Sequence, residues 1–164
     1  DALREKLMKE YEEGEKLERK KRILLTGCPS SGAPMKVVKA IEEHGGNVVV
    51  YENCGGAKSV DRLIDEDAED IYKAIAERYL AIGCSVMTPD NNRIELMGRL
   101  LEEYNIEGVV EMTLQACHTY NIEAKSIEKF VTEKGIPYMH VETDYSQTDA
   151  GQLDTRIAAF LEMI

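Results

Sequence analysis

Short apolar runs bounded by turn residues alternate along the chain with longer amphipathic stretches. Residues 23–26 (Ile-Leu-Leu-Thr) run into Gly27-Cys28-Pro29-Ser30-Ser31-Gly32, the pattern of a buried parallel strand ending in a turn. Val37, Val38 and Ile41 then share one face of a predicted helix, with Pro34 near its first turn and Gly45-Gly46 as its stop. Residues 48–51 form a second strand, which runs into Glu52-Asn53-Cys54-Gly55-Gly56. Val60, Leu63, Ile64, Ala68, Ile71, Ile75, Tyr79 and Ile82 recur at helical spacing. They predict an amphipathic helix over 60–82, with a break at Asp65-Glu66-Asp67 as its weak point. A connection or very short strand follows at 83–89, then a helix over 91–104 that Asp90 can cap. Residues 108–114 read as a strand, 121–134 as a helix ended by Gly135, 138–141 as a strand and 150–163 as a last helix. Residues 2–21 differ: they are highly charged, with thin apolar content at Leu3, Leu7, Met8, Tyr11 and Leu17, and read as a surface or connecting helix.

Strands alternating with helices imply an α/β fold, a three-layer Rossmann-like or flavodoxin-like domain with a mainly parallel sheet of about four strands and right-handed crossovers. The expected division is a connecting helix over 1–21, leading from an N-terminal domain, and an α/β domain over 22–164. The sequence opens on Asp1 rather than Met, and we expect it to be part of a longer protein.

Composition narrows the function classes. With 31 acidic against 20 basic side chains the net charge is −11, which disfavours a nucleic-acid or polybasic membrane binder because phosphates are repelled. No apolar run approaches the ~20 residues of a spanning helix, and no signal peptide is visible. The seven methionines read as core fillers.

The four cysteines carry the most information. Cys28 and Cys54 directly follow the first two strands, Cys117 follows the third, and Cys84 lies in a connection that can reach the same edge. In open parallel sheets the carboxyl ends of the strands form the ligand-binding rim. The gaps of 26, 30 and 33 residues contain no close pair, which disfavours structural zinc and a thioredoxin-like redox pair. Thiolates from separate loops suit an iron–sulfur cluster, and four buried free thiols in a reducing compartment are the plainer alternative.

Other polar residues fall near the same rim. Gly27 and Gly32 have the spacing of a phosphate loop, but Ala33-Pro34 stand where its lysine and magnesium-binding hydroxyl belong, which disfavours a nucleotide triphosphate site. The loop opens a helix, whose N-terminus would stabilise a thiolate at Cys28 or an anionic cluster. His118 beside Cys117 suggests either a Cys–His pair or a hydrogen-bond donor to a cluster. His44 reads as a helix C-terminal residue, and His140 as a packed strand histidine. Glu52, Glu142 and Asp144 sit at strand ends, as proton carriers, partners of Arg156 or plain solvated acids.

Several of these segments together resemble one family. Gly27-Cys28-Pro29, Tyr51-Glu52-Asn53-Cys54-Gly55-Gly56-Ala57-Lys58, Ala81-Ile82-Gly83-Cys84-Ser85, Gln115-Ala116-Cys117-His118-Thr119-Tyr120, Glu142-Thr143-Asp144-Tyr145-Ser146, Gly151-Gln152-Leu153 and Thr155-Arg156 look like the C-terminal half of the 2-hydroxyacyl-CoA dehydratase and benzoyl-CoA reductase superfamily. The likeness is nearest to its double-cubane cluster protein branch and runs from about residue 22 to 164.

The resemblance implies a two-domain subunit with an iron–sulfur cluster between the domains. In a dehydratase subunit the position of Cys117 would give one ligand to a single [4Fe-4S] cubane. In a double-cubane protein Cys28, Cys54 and Cys84 would join it as ligands of an [8Fe-9S] cluster. It further implies a separate ATP-hydrolysing iron–sulfur activator protein, a dimer of full-length subunits, a small-molecule or acyl-CoA substrate and an anaerobic cytoplasm. The expected function is therefore a double-cubane reductase component driven by low-potential electrons. The alternatives are a 2-hydroxyacyl-CoA dehydratase subunit, in which one electron makes a ketyl radical that eliminates water, and a non-catalytic electron-transfer domain. Glu52, His118 and Asp144 are the candidates for groups beside the cluster or for proton transfer.

Overall fold

Strands β1 (Lys21–Gly27), β2 (Gly46–Glu52), β3 (Gly108–Leu114) and β4 (Tyr138–Thr143) pair in the order β2-β1-β3-β4, every pair parallel. This computed structural model describes residues 2–16, 18–29, 32 and 35–164; Ser30, Ser31 and Pro34 of the first loop, and Leu17, lie outside them. The α/β expectation holds, with four strands and helices on both faces. Among the described residues the helices are α1 (Ala2–Glu13), α2 (Met35–Glu43), α3 (Ala57–Val60), α4 (Ile71–Leu80), α5 (Asn91–Glu103), α6 (His118–Glu133) and α7 (Ala150–Met163). None of the described helices is long and apolar enough to cross a membrane.

The two-residue period of the strands divides their side chains between two helical layers. Ile23, Leu25, Val110, Met112 and Val141 pack on one face against Val37, Val38 and Ile41 of α2 and Leu153, Ile157 and Phe160 of α7. Leu24, Val50 and Val109 pack on the other against Leu96, Met97 and Leu100 of α5 and Ile127 and Val131 of α6. α1 has no buried residue, as its charge-rich sequence predicts.

Three expectations need correction. Of the helix over 60–82 only α4 forms, over 71–80; α3 ends at Val60, and residues 61–70 between them include the expected break at Asp65-Glu66-Asp67. Local carboxylates explain the interruption: Asp65 Oδ1 accepts the Asp67 N–H, and Asp70 caps α4 by accepting from Tyr72 and Lys73. Arg78 of α4 donates to the carbonyls of Arg62 and Ser59, folding the pair back on itself. α6 starts at His118 rather than 121, because Leu114–Cys117 close a tight turn in which Ala116 has a φ of 64°. The methionines are not uniformly core: Met97 and Met112 are fully buried, while Met8, Met35, Met87 and Met163 are exposed.

Candidate functional site

The carboxyl ends of β1, β2 and β3 each deliver a cysteine within three residues of the strand. Gly27 makes the first delivery possible. It has a φ of 101°, and a Cβ there would stand 2.1 Å from the Met112 carbonyl. The chain therefore turns tightly against β3, where Cys28 N–H donates to Met112 O at 2.8 Å and the Leu114 N–H donates to Cys28 Sγ at 3.3 Å. Cys28 is 2% exposed, and burial pushes its thiol up to about 11.

Cys117 is the N-cap of α6 and half-buried. Burial opposes its ionisation, but the Thr119 hydroxyl 3.6 Å from its sulfur, the polar backbone of Tyr120 and Thr119 at the helix start and the neighbouring Cys28 thiol favour the thiolate. Together they outweigh burial and lower its pKa, as expected of a thiol at a helix N-terminus. Cys54 is exposed, with Sγ 3.8 Å from the Tyr120 hydroxyl. Cys84 is half-buried. Its loop abuts the start of α5, since a Cβ on Gly83 would stand 2.7 Å from Arg93 N, but no described side-chain contact joins it to the other three thiols. Three of the four predicted cysteines thus meet around the start of α6. Among the described residues no group of three or more His, Cys, Asp or Glu side chains is arranged to hold a metal ion.

The predicted acids and histidines have different surroundings. Glu52 is fully buried, so its reading as a solvated strand-end acid is corrected. Asp144 accepts the Ser146 N–H at 2.7 Å, and hydrogen bonds from Ser146 lower its pKa. His118 is exposed on the first turn of α6. Arg156 donates to the His140 carbonyl, while Glu142 accepts from Asn121; the expected pairing of Arg156 with the strand-end acids is not formed. His44 pairs with Asp154 at 2.8 Å, and His140 Nε2 lies 2.8 Å from Thr113 Oγ1.

Beneath the cysteines lies a buried ionic network that sequence reasoning missed. Arg93, fully buried, donates from Nη2 to Glu111 Oε1 at 3.0 Å and to Thr26 Oγ1 at 2.9 Å, and its Nε donates to Glu52 Oε2 at 3.3 Å. Thr26 also donates to Glu52 Oε2. Lys58 Nζ stands 3.2 Å from Glu52 Oε1, and Tyr138 donates to Glu111 Oε2 at 2.8 Å. Burial works against the Arg93 charge, but Glu52 and Glu111 more than offset it and raise its pKa. One guanidinium thus ties the ends of β1 and β2 to the middle of β3.

Glu111 could have signalled this network. It interrupts an apolar strand in a sheet covered on both faces, where a charge requires a buried partner. Arg93 gave no such signal, because arginine on an amphipathic helix ordinarily faces solvent.

Comparison with known proteins agrees with this architecture. The sequence matches the family described as 2-hydroxyglutaryl-CoA dehydratase, D-component, over residues 1–164. It is 50% identical over 165 residues to YjiM of Escherichia coli (strain K12), provisionally named a dehydratase subunit, covering 100% of this chain and 43% of that protein. It is 23% identical over 146 residues to the (R)-phenyllactyl-CoA dehydratase beta subunit of Clostridium sporogenes, covering 88% of this chain and 38% of the relative. It is 26% identical over 104 residues to the beta subunit of (R)-2-hydroxyglutaryl-CoA dehydratase of Acidaminococcus fermentans, covering 60% and 27% respectively. The chain spans less than half the length of these relatives.

Proposed function

Because this chain belongs to the 2-hydroxyglutaryl-CoA dehydratase D-component family, we propose that it is a component of a 2-hydroxyacyl-CoA dehydratase and presents Cys117 as a ligand to a [4Fe-4S] cluster at the carboxyl edge of its sheet. The observation that carries the reading is Cys117 as the N-cap of α6, its sulfur 3.6 Å from the Thr119 hydroxyl and its pKa lowered in spite of burial. That setting suits an anionic thiolate ligand. Since no three described side chains complete a metal site, the remaining ligands would come from outside these residues. When bound, the cluster would supply single electrons at low potential.

The rest of the chain would position the site. Arg93 and Lys58, balanced by Glu52 and Glu111, hold the cysteine-bearing strands in place, and His118 is placed to exchange protons with solvent. Glu52 is committed to its ion pairs and Asp144 to its turn, which makes them weaker candidates for proton transfer. The first loop lacks the lysine of a nucleotide site, so an ATP-hydrolysing iron–sulfur activator would be a separate protein. The relatives named as beta subunits support a further subunit that completes the enzyme.

A double-cubane cluster would also need Cys28, Cys54 and Cys84. The buried, weakly acidic Cys28 and the separate Cys84 loop give that reading less support. Iron and sulfide analysis of the anaerobically purified full-length protein tests the choice. About four irons per chain is expected, with loss of iron in Cys117→Ala. About eight would restore the double-cubane reading, and none would remove both.

A further inference from the structure

Helix α4 turns apolar side chains to solvent. Tyr72 is 82% exposed, Tyr79 65% and Leu80 73%, while Ala74 is the one buried residue of the helix. From Tyr72, the exposed Ala76, Tyr79 and Leu80 follow at spacings of four, seven and eight, which puts all of them on one face. The adjoining loops expose Leu63 and Val86 as well. Scattered apolar residues are ordinary on a surface, but a stripe along a whole helix marks an interaction site.

The helix is fastened without using that stripe. Arg78, on the other face, donates to the carbonyls of Ser59 and Arg62. Asp61, ahead of α4, takes two hydrogen bonds from Arg99 of α5, at 2.9 and 2.6 Å. Gly83, behind it, packs on the Arg93 backbone.

The stripe is its own complement. Ala76 is central, with Tyr72 four residues before it and Leu80 four after. A two-fold contact between identical chains requires that residue i meets j and j meets i. Two copies of α4 crossing antiparallel at Ala76 set Tyr72 against the partner's Leu80, and the small Ala76 lets the backbones approach. Lys73 and Glu77 border the stripe on one flank, 3.7 Å apart, with side chains 71% and 67% exposed. The same crossing brings Lys73 beside the partner's Glu77, and Glu77 beside the partner's Lys73. It also sends the two acidic loops, residues 65–70, to opposite ends of the contact, whereas a parallel crossing would set them side by side. The charges therefore favour a second copy in one orientation.

We propose that α4 is a homodimer contact, pairing antiparallel with α4 of a second copy across a two-fold axis at Ala76. The proposal does not depend on the cluster reading above.

The test is sedimentation equilibrium of the full-length protein and its charge variants, with circular dichroism as the check on folding. The wild type should be dimeric. Lys73→Glu leaves only carboxylates on the flank and Glu77→Lys only ammoniums, so each variant alone should dissociate on the order of tenfold more readily. A one-to-one mixture of the two restores opposite charges across the axis and should recover the wild-type dissociation constant as a heterodimer. Such recovery requires contact between two copies, and burial of α4 by the rest of the chain or by a different protein would not produce it. Unchanged self-association in both variants, or a mixture as weak as its parts, overturns the proposal. Ala76→Arg puts a bulky charge at the crossing point; once folded, it should be monomeric where the wild type is dimeric, and a dimer of that variant overturns the proposal too. A monomeric wild type does so outright, whatever its iron content.

Discussion

On the α2–α7 side the strands bury Ile23, Leu25, Val110 and Met112, an apolar surface along its whole length. On the α5–α6 side the same strands begin with Leu24, Val50 and Val109 but end with Thr26, Glu52 and Glu111. The change falls where β1 and β2 run into the cysteine loops. A dry face needs only matching volumes. The polar end needs every charge to have its partner, because an uncompensated buried ion costs several kcal/mol. One face therefore stabilises the fold, while the other holds three loops in fixed relation at the edge where a ligand would bind.

The largest test of this contrast is Arg93→Met. It leaves Glu52 and Glu111 without their shared cation, and the expected loss is about 3–5 kcal/mol in denaturant unfolding of the full-length protein. A loss below about 1 kcal/mol would mean that the network contributes nothing beyond packing and would collapse the distinction between the faces. Ile157→Val on the dry face should cost about 0.5–1.5 kcal/mol, with no change in the pH profile of stability. A pH-dependent loss there would show that the two faces are coupled.

The smallest effect belongs to Asp90, which caps α5 by accepting the Arg93 N–H at 3.2 Å while its other oxygen, Oδ2, is buried without a hydrogen-bond partner. Burial raises its pKa despite that hydrogen bond and the nearby Lys58 and Arg93. A raised carboxyl favours the fold fully below the unfolded value of about 3.9, and this stability is lost as pH rises through the folded value. Asp90→Asn keeps a capping oxygen and removes the charge. It should match the wild type in acid and exceed it by less than about 1 kcal/mol near neutrality. A variant less stable than the wild type at neutral pH would show that the Asp90 charge supports Arg93.

Much of the frame was legible before any coordinates. The run at 23–26 and the cluster at 108–114 announce parallel strands because only a strand covered on both faces is apolar at consecutive positions. Cys28, Cys54 and Cys117 each follow such a run, so their shared edge follows from topology alone. The split between α3 and α4 was only hinted at, by three consecutive acids whose side chains compete with helical hydrogen bonds.

The sequence by itself determined the α/β order, the position of the cysteines along the sheet edge and the family motifs around them. Each of these depends on local pattern or on residue identity. Tertiary structure set which thiols differ in character: Cys28 is buried and weakly acidic, while the pKa of Cys117 is lowered at a helix start. It also turned Glu52 from a strand-end acid into a partner of Arg93 and Lys58. Those outcomes depend on burial and on contacts such as Arg93 with Glu52, 41 positions apart, or across a turn whose direction the linear pattern does not encode.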